Sequence, residues 1–356
     1  MGRLTKLRER LKKNEIEGIL IASNYNRRYI TGFTGTAGVA LITETEAKFI
    51  TDFRYVEQAS EQAVDFEIVQ HKALLVDELA TQIKNMGIEK LGFEKCHVSF
   101  AQYEEYKERF KNVTLVPTSG IIENLRLIKD EQEIKILKEA AKIADAAFDH
   151  IIKYIKPGLT ELDVSNELEF FMRKQGAESS SFDIIVASGL RSALPHGVAS
   201  SKLIQTGELV TLDFGAYYKG YCSDITRTVA VGKLSSELEK IYYTVLEAQL
   251  KGMKEIKAGL TGKEADDITR DFISQKGYGE YFGHSTGHGL GMEVHEGPGL
   301  SKKSETVLQP GMVVTVEPGI YISGVGGTRI EDDTVITEDG NNTLTFSTKE
   351  LLILGD

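Results

Sequence analysis

The sequence predicts a two-domain protein of the α/β (α+β) class whose second domain contains an internal repeat. Its 356 residues are enough for about two domains of roughly 150 residues each. Strand and helix patterns alternate through about the first 120 residues, which favours helices packed on a sheet. The rest of the chain repeats short motifs at nearly constant spacing, which indicates two similar halves.

The first domain is predicted as an alternation of short helices and strands. Helices are expected at 4–13, 74–86 and 100–110. Strands are expected at 16–22, 37–43, 47–51, 90–94 and 114–117. The segment 118–130 breaks this alternation. We therefore expect an N-terminal domain of residues 1–124 and a C-terminal domain of residues 125–356.

The second domain opens with a predicted helix at 131–154, where apolar residues recur with helical spacing. Two motifs then occur twice. Lys156-Pro-Gly-Leu-Thr160 resembles Lys257-Ala-Gly-Leu-Thr261 at an offset of 101 residues, and each copy ends in a predicted helix cap. Val210-Thr-Leu-Asp-Phe-Gly215 resembles Val314-Thr-Val-Glu-Pro-Gly319 at an offset of 104. The helix-then-strand pattern is therefore duplicated.

The duplicated strands carry acids in equivalent places, Asp213 in the first copy and Glu317 in the second. Each is followed by another acid, Asp224 after 11 residues and Glu331 after 14. A hairpin with its turn at 217–220 would make Asp213 and Asp224 direct cross-strand neighbours, with Cβ atoms about 5 Å apart. The glycine-rich loop at 323–327 can likewise set Glu317 opposite Glu331.

Four converging carboxylates need a compensating cation if they are to be both buried and charged. Three of the seven histidines, His284, His288 and His295, lie within 12 residues, and His196 is a fourth candidate. The run 283–291 around His288 is too glycine-rich for a plain helix or core strand. An oxygen-rich set with one imidazole suits Mn²⁺, Co²⁺, Fe²⁺ or Zn²⁺, and it can hold two cations about 3.5–4 Å apart. The residues therefore predict metal-assisted hydrolysis by a metal-bridged hydroxide.

Composition excludes several other classes. Lys and Arg number 42 against 53 Asp and Glu, and the net charge of −11 disfavours nucleic acid and anionic membranes as partners. Two cysteines cannot form a disulfide framework, so we expect a cytoplasmic protein. No apolar run approaches the roughly 20 residues of a membrane span, and the N-terminus lacks the apolar stretch of a signal peptide.

These motifs resemble those of the creatinase/aminopeptidase P/prolidase family, the pita-bread metallopeptidases, and the resemblance covers essentially the whole chain. In the first domain it rests on 24–33 and 51–55, and at the junction on 125–134. In the second domain it rests on the Asp213 strand and on four short motifs: Ser223-Asp-Ile-Thr-Arg227, Gly287-His-Gly289, Val316-Glu-Pro-Gly319 and Arg329-Ile-Glu331. The implied fold is a creatinase-like accessory domain followed by a pita-bread catalytic domain with a pseudo-twofold repeat.

The resemblance also implies a role for each site residue. The metal ligands would be Asp213, Asp224, His288, Glu317 and Glu331, with Asp224 and Glu331 bridging two cations, Mn²⁺ being the expected ion. Glu317 would also move the proton of the nucleophilic water. His196 and His295 would contact the substrate and the developing oxyanion, and His284 would line the proline pocket. Tyr321 and Arg329 would support the ligands and the substrate site.

The implied reaction is removal of an N-terminal residue that precedes proline, from Xaa-Pro dipeptides or longer peptides, by a homodimer. Methionine aminopeptidases usually lack such an N-terminal domain, which disfavours them, and creatinase shares the fold without a metal site, so five intact ligands argue against it. A non-enzymatic binding protein on this fold has little need of five intact ligands. The sequence leaves open the choice between dipeptidase and aminopeptidase P, the physiological metal, the preferred residue before proline and the oligomeric state.

Overall fold

The computed structural model of the chain describes residues 2–355. It divides into two compact units between Arg126 and Leu127, two residues beyond the boundary expected from sequence. Among the helices of the described range, none has both the length and the apolar character needed to cross a membrane.

The N-terminal unit is built on a mixed six-stranded sheet. Its helices are α1 (Arg3–Lys13), α2 (Asn24–Thr31), α3 (Val56–Gln62), α4 (Leu75–Asn85), α5 (Phe100–Arg109) and α6 (Glu123–Arg126). Its strands are β1 (Gly18–Ile21), β2 (Val39–Thr43), β3 (Ala47–Thr51), β4 (Glu67–Gln70), β5 (Lys90–Glu94) and β6 (Thr114–Thr118), in the order β4-β3-β2-β1-β5-β6. Every helix and strand predicted before residue 118 is present, whereas α2, α3 and β4 were not predicted.

The second unit has four long helices and fourteen short strands within the described residues. The helices are α7 (Glu131–Ile151), α8 (Glu161–Lys174), α9 (Ser236–Glu255) and α10 (Gly262–Gln275). The strands before α9 are β7 (Ser179–Ser180), β8 (Ile185–Ser188), β9 (Glu208–Phe214), β10 (Ala216–Tyr218), β11 (Tyr221–Cys222) and β12 (Ile225–Val231). Those after α10 are β13 (Gly287–Gly289), β14 (Glu296–Leu300), β15 (Val313–Val316), β16 (Gly319–Ile322), β17 (Gly326–Arg329), β18 (Asp332–Ile336), β19 (Asn341–Thr343) and β20 (Ile353–Leu354).

Helix α7 begins with a capping box. The Asp130 side chain accepts hydrogen bonds from the backbone N–H groups of Gln132 and Glu133, and the Glu133 side chain accepts from Asp130 N–H. From Ile143 to Ile151, the apolar stripe expected from the sequence is buried together with residues of α8, β9 and β12. The helix ends at Ile151, three residues before the predicted end.

The internal repeat is confirmed at the starts of α8 and α10. Thr160 and Thr261 each cap the helix through a capping box. The backbone bonds before each helix also correspond: Gly158 N–H donates to Ile204 O, and the second-copy glycine, 101 residues later, donates to Leu308 O, both at 2.9 Å. Each helix entry is therefore closed by the same loop contact.

The duplicated strands lie in two separate sheets. β9 and β12 are central in a four-stranded sheet of order β20-β12-β9-β8. β15 and β18 are the equivalent pair in a five-stranded sheet of order β14-β13-β15-β18-β19. The first pair continues into the hairpin β10–β11, and the second continues into the hairpin β16–β17. The acids predicted from the sequence lie where these strands meet their hairpins.

Candidate active site

Asp213 and Asp224 are carried by the strand pair β9 and β12. Asp213 lies directly opposite Thr226, so the prediction that Asp213 and Asp224 are direct cross-strand neighbours is wrong. The two turn residues are Lys219 and Gly220, so the centre of the turn lies one residue later than the centre of the expected turn at 217–220. Both residues have positive φ angles, 48° and 84°, as a two-residue hairpin turn requires. Asp224 precedes the partner of Asp213 by two residues, which is the diagonal position on the same face.

Glu317 and Glu331 lie at the corresponding ends of the second pair, just after β15 and just before β18. Val316 pairs with Asp332 before the two acids, and Gly319 pairs with Arg329 after them, in the same register. Glu317 therefore faces Glu331, as the glycine-rich loop suggested. The two strand pairs are adjacent, because the Glu331 N–H donates to the Thr226 carbonyl oxygen at 3.1 Å. All four acids are thereby brought to one place.

His288 reaches the acids from the short strand β13, between Gly287 and Gly289. A Cβ added at residue 287 would lie 2.0 Å from the carbonyl oxygen of Thr315, and one at residue 289 would lie 2.0 Å from that of Gly297. Only glycine allows the backbones to approach this closely. The prediction that this run is too glycine-rich for a core strand is therefore wrong, because the glycines are what allow β13 to enter the sheet.

Side chains of the ligand type approach one another closely. Ligand atoms of Asp224, His288 and Glu331 all lie within 4.8 Å of one another. His288 Nε2 also lies 3.4 Å from Glu317 Oε1. Asp213 is outside this close group, and its Oδ2 accepts a hydrogen bond from Arg329. The five residues nevertheless all line the same cavity.

Two carboxylate oxygens in this group lack partners. Oδ1 of Asp213 and Oδ1 of Asp224 are buried, and neither has a hydrogen-bond partner within residues 2–355. Burying a polar atom without a partner costs free energy. Carboxylate oxygens with one imidazole nitrogen form a hard donor set of the kind that binds divalent cations. The residues therefore fit the metal ions that the sequence predicted.

The electrostatics of the acids support this fit. Burial raises the pKa of Asp224 and of Glu331 well above its usual range, and the neighbouring acids raise it further. Burial also raises the pKa of Glu317 to about 8, although the Arg329 guanidinium acts in the opposite direction. Without a cation, burial favours the protonated forms of these acids, and a bound cation would replace their protons.

The pKa values of two histidines shift in the opposite direction to those of the acids. Burial lowers the pKa of His288 to about 4, and the neighbouring His295 adds to the effect. Burial likewise lowers the pKa of His284 to about 4, with a further contribution from Arg329. Both imidazoles are therefore neutral near pH 7, and the neutral form is the one that binds metal.

The candidate substrate residues surround the acids in a cavity of about 570 Å³. His196, His284 and His295 all line its wall, together with the predicted metal ligands. The His295 ring lies with its centroid 4.3 Å from that of His288. The structure thus brings together the four histidines that the sequence analysis selected, although they come from segments up to about 100 residues apart.

Arg329 and Tyr321 form a polar group beside the cavity. Arg329 lines the wall, whereas Tyr321 is not among the lining residues. Arg329 Nη1 donates to the Tyr321 hydroxyl at 2.7 Å, and that hydroxyl lies 2.8 Å from His284 Nε2. Arg329 also donates to Asp213. Tyr321 is therefore linked to the cavity wall through its hydrogen bonds with His284 and Arg329.

Two supporting residues were not selected from the sequence. The Thr226 hydroxyl donates to Glu331 Oε2 at 2.6 Å and accepts from Arg329 Nε at 3.0 Å. Asp333 Oδ2 accepts the backbone N–H of Asp224 at 2.9 Å. The first of these contacts orients the Glu331 carboxylate, and the Asp333 contact holds the backbone that carries Asp224. The sequence offered one sign of these two residues, which is their spacing from the acids. Thr226 follows Asp224 by two residues, and Asp333 follows Glu331 by two.

The fold and site define a class of protein. The model of metallopeptidase family M24 matches residues 135–338, and the model of the creatinase/prolidase N-terminal domain matches residues 3–128. The chain belongs to metallopeptidase family M24, and the pita-bread fold with its creatinase-like N-terminal domain is confirmed.

Several proteins resemble the chain over its full length. It is 65% identical to the solved structure of the Xaa-Pro dipeptidase from Bacillus anthracis, with a TM-score of 0.98 and 99% of both chains covered. It is 43% identical to the solved prolidase from Pyrococcus horikoshii, with a TM-score of 0.94 and coverage of 98% of this chain and 99% of the other. It is 40% identical to the X-Pro aminopeptidase from Thermotoga maritima, with a TM-score of 0.92 and coverage of 97% and 100%.

Proposed function

We propose that the chain is a metal-dependent exopeptidase that hydrolyses the bond between an N-terminal residue and a following proline. The observation that carries this proposal is the convergence of five metal-ligand side chains and three further histidines on one cavity. The names of the similar proteins support the same substrate class, because they include Xaa-Pro dipeptidases and an X-Pro aminopeptidase.

The metal site would be formed by the five residues predicted from the sequence. Asp213 would bind one cation, His288 and Glu317 the other, and Asp224 and Glu331 both. The unpartnered oxygens of Asp213 and Asp224 support the assignments made for these two residues. When bound, such a pair of cations lowers the pKa of a water molecule and stabilises the charge that develops on the scissile carbonyl oxygen.

The protein's own groups would supply proton transfer and orientation. Glu317 lines the cavity beside the other acids, and once bound cations have replaced its proton, its carboxylate can accept a proton from a water molecule and return it to the leaving nitrogen. Its Oε1 accepts a hydrogen bond from the Thr315 hydroxyl at 3.1 Å, which fixes its direction. His196 and His295 stand on the cavity wall, where they can donate hydrogen bonds to the substrate and the oxyanion.

Proline explains the need for a dedicated pocket. A Xaa-Pro bond has no N–H, and its ring is stiff, so it offers a general peptidase fewer contacts. His284, held by Tyr321, presents its ring to the cavity and is packed edge-on against Phe282, with ring centroids 5.1 Å apart. This wall is the proposed receptor for the proline ring.

Three finer assignments belong to the same proposal. Mn²⁺ is the proposed physiological ion, with Co²⁺, Fe²⁺ or Zn²⁺ as alternatives, because the donor set is rich in oxygen. The proposed assembly is a homodimer, as the family resemblance implies. The proposed location is the cytoplasm, because Cys96 and Cys222 are both free thiols.

The decisive experiment compares an Ala-Pro dipeptide, an Ala-Pro-Ala tripeptide and an Ala-Ala dipeptide with metal-free protein reloaded with Mn²⁺. Hydrolysis of a proline substrate at a rate at least 10-fold above Ala-Ala is expected, and equal rates on Ala-Pro and Ala-Ala would refute the proposal. The ratio of dipeptide to tripeptide rates distinguishes a dipeptidase from an aminopeptidase P. Loss of the activity on chelation, with recovery on adding metal, tests the metal requirement.

A further inference from the structure

A buried acid outside the metal site has no part in the mechanism described above. Glu161, the first residue of α8, has a fully buried side chain. Its carboxylate accepts five hydrogen bonds, and the donors are the backbone N–H and hydroxyl of Ser188, the same two groups of Ser200, and Arg191 Nε. A buried acid with this many donors contributes to the order of whatever supplies them.

All five donors come from a single loop, residues 188–200, with Ser188 and Ser200 at its two ends and Arg191 within it. Ser188 ends β8, and Ser200 closes the segment 12 residues later. Glu161 Oε1 binds Ser188, with distances of 2.8 and 2.9 Å, while Oε2 binds Ser200, with distances of 3.1 and 2.6 Å. The carboxylate therefore closes the loop 188–200 by joining its ends.

This loop carries His196 to the wall of the cavity. The His196 side chain is itself exposed, so its position depends on the backbone that bears it. Arg191, held by Glu161 at 3.0 Å, donates from Nη2 to the Val198 carbonyl oxygen at 2.7 Å. A continuous path of hydrogen bonds thus runs from Glu161 through Arg191 to the residue two positions after His196.

We propose that Glu161 is a positioning residue for His196, which it holds in place for the substrate by closing the loop 188–200. This inference rests on the proposed function, because it assigns His196 to Xaa-Pro hydrolysis. It differs from a role in metal binding, since none of the five donors belongs to a metal ligand. Displacing a substrate-contacting group by about 1 Å can lower a rate about 100-fold.

The substitution Glu161→Gln tests the contacts with little change of shape. Each carboxylate oxygen accepts a backbone N–H, one from Ser188 and the other from Ser200. A backbone N–H cannot become an acceptor. Whichever way the amide of the new side chain is turned, its NH₂ group therefore faces a donor, and one end of the loop is released.

The experiment is a double-mutant cycle of Glu161→Gln and His196→Ala with Ala-Pro as substrate. Each single change should lower kcat/KM about 10- to 100-fold, and the double variant should be no slower than the slower single variant. Mn²⁺ titration should give an unchanged affinity and stoichiometry for E161Q. If the two losses multiply, or if E161Q binds Mn²⁺ more weakly, Glu161 does not act through His196.

Two further variants separate positioning from stability. Asp163→Asn weakens the capping box of the same helix, where the exposed Asp163 side chain accepts from Thr160 N–H, but it leaves the loop contacts intact, so kcat/KM should change less than 2-fold. A loss as large as that of E161Q would overturn the proposal. Arg191→Gln, at a half-buried site, breaks the path to Val198 and should show the same non-additivity with H196A if E161Q does not fold.

A spectroscopic measurement keeps this inference distinct from the proposed function. In a carbon–proton NMR spectrum, the His196 ring signal is identified by its disappearance in H196A. That signal should shift or broaden in E161Q, while the ring signals of His71 and His97 in the N-terminal unit stay in place. Inactive wild-type protein would refute Xaa-Pro hydrolysis alone, whereas an unmoved His196 signal would refute the positioning role alone.

Discussion

The two copies of the repeat in the catalytic unit share a framework and differ in what they contribute to the site. Each copy starts with a capped helix whose entry is closed by backbone hydrogen bonds to a returning loop, and each continues into an antiparallel strand pair. The first copy supplies Asp213, Asp224 and the loop of His196. The second supplies Glu317 and Glu331, together with the other three histidines at the cavity.

The copies diverge most clearly at the residue that follows the cap. The first copy has Glu161, whose buried side chain closes a loop, and the second has Gly262. A Cβ at residue 262 would lie 2.1 Å from the Gly299 carbonyl oxygen, so the second copy leaves no room for a side chain at this position. The same backbone position therefore carries a loop-binding side chain in the first copy and a close backbone approach in the second.

The largest expected effect comes from the acid that has no equivalent role in the first copy. Asp213 and Glu317 occupy matching positions, yet only Glu317 is proposed to transfer a proton. Glu317→Gln should lower kcat at least 10²–10⁴-fold, because it removes a general acid–base group as well as a charged ligand. Steady-state kinetics with Ala-Pro under saturating Mn²⁺ measure the loss.

The matched variant is Asp213→Asn, which changes charge and ligand strength in the same way at the first-copy position. Saturating Mn²⁺ should restore more activity to D213N than to E317Q, while circular dichroism shows that both are folded. Equal residual activity in the two variants would remove the distinction between the copies.

Metal should stabilise the catalytic unit as a whole, because its ligands come from both copies. A ligand that binds only the folded chain stabilises it by about 2.7 kcal/mol at 100 times its dissociation constant. The N-terminal unit contains none of the five proposed ligands. Hydrogen exchange, measured as the protein is heated, should therefore show a gain in stability on adding Mn²⁺ throughout residues 131–336 and little change before residue 118.

The same prediction has a defined dependence on pH. In metal-free protein the raised pKa values of Asp224, Glu317 and Glu331 mean that the folded chain holds protons that the unfolded chain releases, so stability falls as pH rises towards about 8. The lowered pKa of His288 acts only below its usual value of 6.5. Between about pH 6.5 and 8, metal-free stability should fall and the gain from Mn²⁺ should grow. A gain that is constant with pH would contradict this assignment.

A smaller effect tests the close approach of the Gly299 carbonyl oxygen to Gly262 in the second copy. Gly262→Ala should lower the free energy of unfolding by about 1–3 kcal/mol, because the added methyl group meets backbone that cannot move aside easily. Urea denaturation measures the change. Gly340→Ala is the control, since a Cβ there meets no atom within 4 Å and the change should stay within about 0.5 kcal/mol.

The smallest effect concerns the feature that the copies share. Thr160→Ala and Thr261→Ala each remove a capping hydroxyl that accepts from the N3 backbone N–H, at 3.0 and 3.1 Å respectively. Each should cost about 0.5–2 kcal/mol of stability, and the two costs should be similar. Thr→Ser at either position keeps the hydroxyl and should restore most of the loss. A cost confined to one copy would show that the two helix entries are not equivalent.

Much of the fold could be predicted because its elements have strong local patterns. Helix α2 is an exception, since it buries Asn26 and Arg27 and so lacks a clear apolar stripe. The burial of Asn26 depends on Glu94, whose carboxylate accepts from Asn26 Nδ2 at 2.7 Å. That contact joins residues 68 positions apart, and no local pattern reports it.

The site residues could be selected from repeat and motif, but their register could not. The diagonal placement of Asp224 follows from Lys219, a residue with a side chain in a left-handed conformation that glycine usually adopts. Sequence spacing alone gives no sign of that choice. The roles of Thr226 and Asp333 were also hidden, because threonine and aspartate are ordinary in strands and loops until their partners are known.

The unequal placement of the two acid pairs has a consequence for how the protein takes up metal. Glu317 faces Glu331 directly, whereas Asp224 is diagonal to Asp213. Directly opposed residues have Cβ atoms about 4.5–5.5 Å apart, whereas diagonal neighbours lie about 7–8 Å apart, with their Cβ atoms somewhat closer. The two proposed cation positions would therefore differ in their surroundings, and we expect loading to be stepwise. If two cations bind as proposed, one equivalent of metal should give mainly a half-loaded species rather than a mixture of empty and full chains.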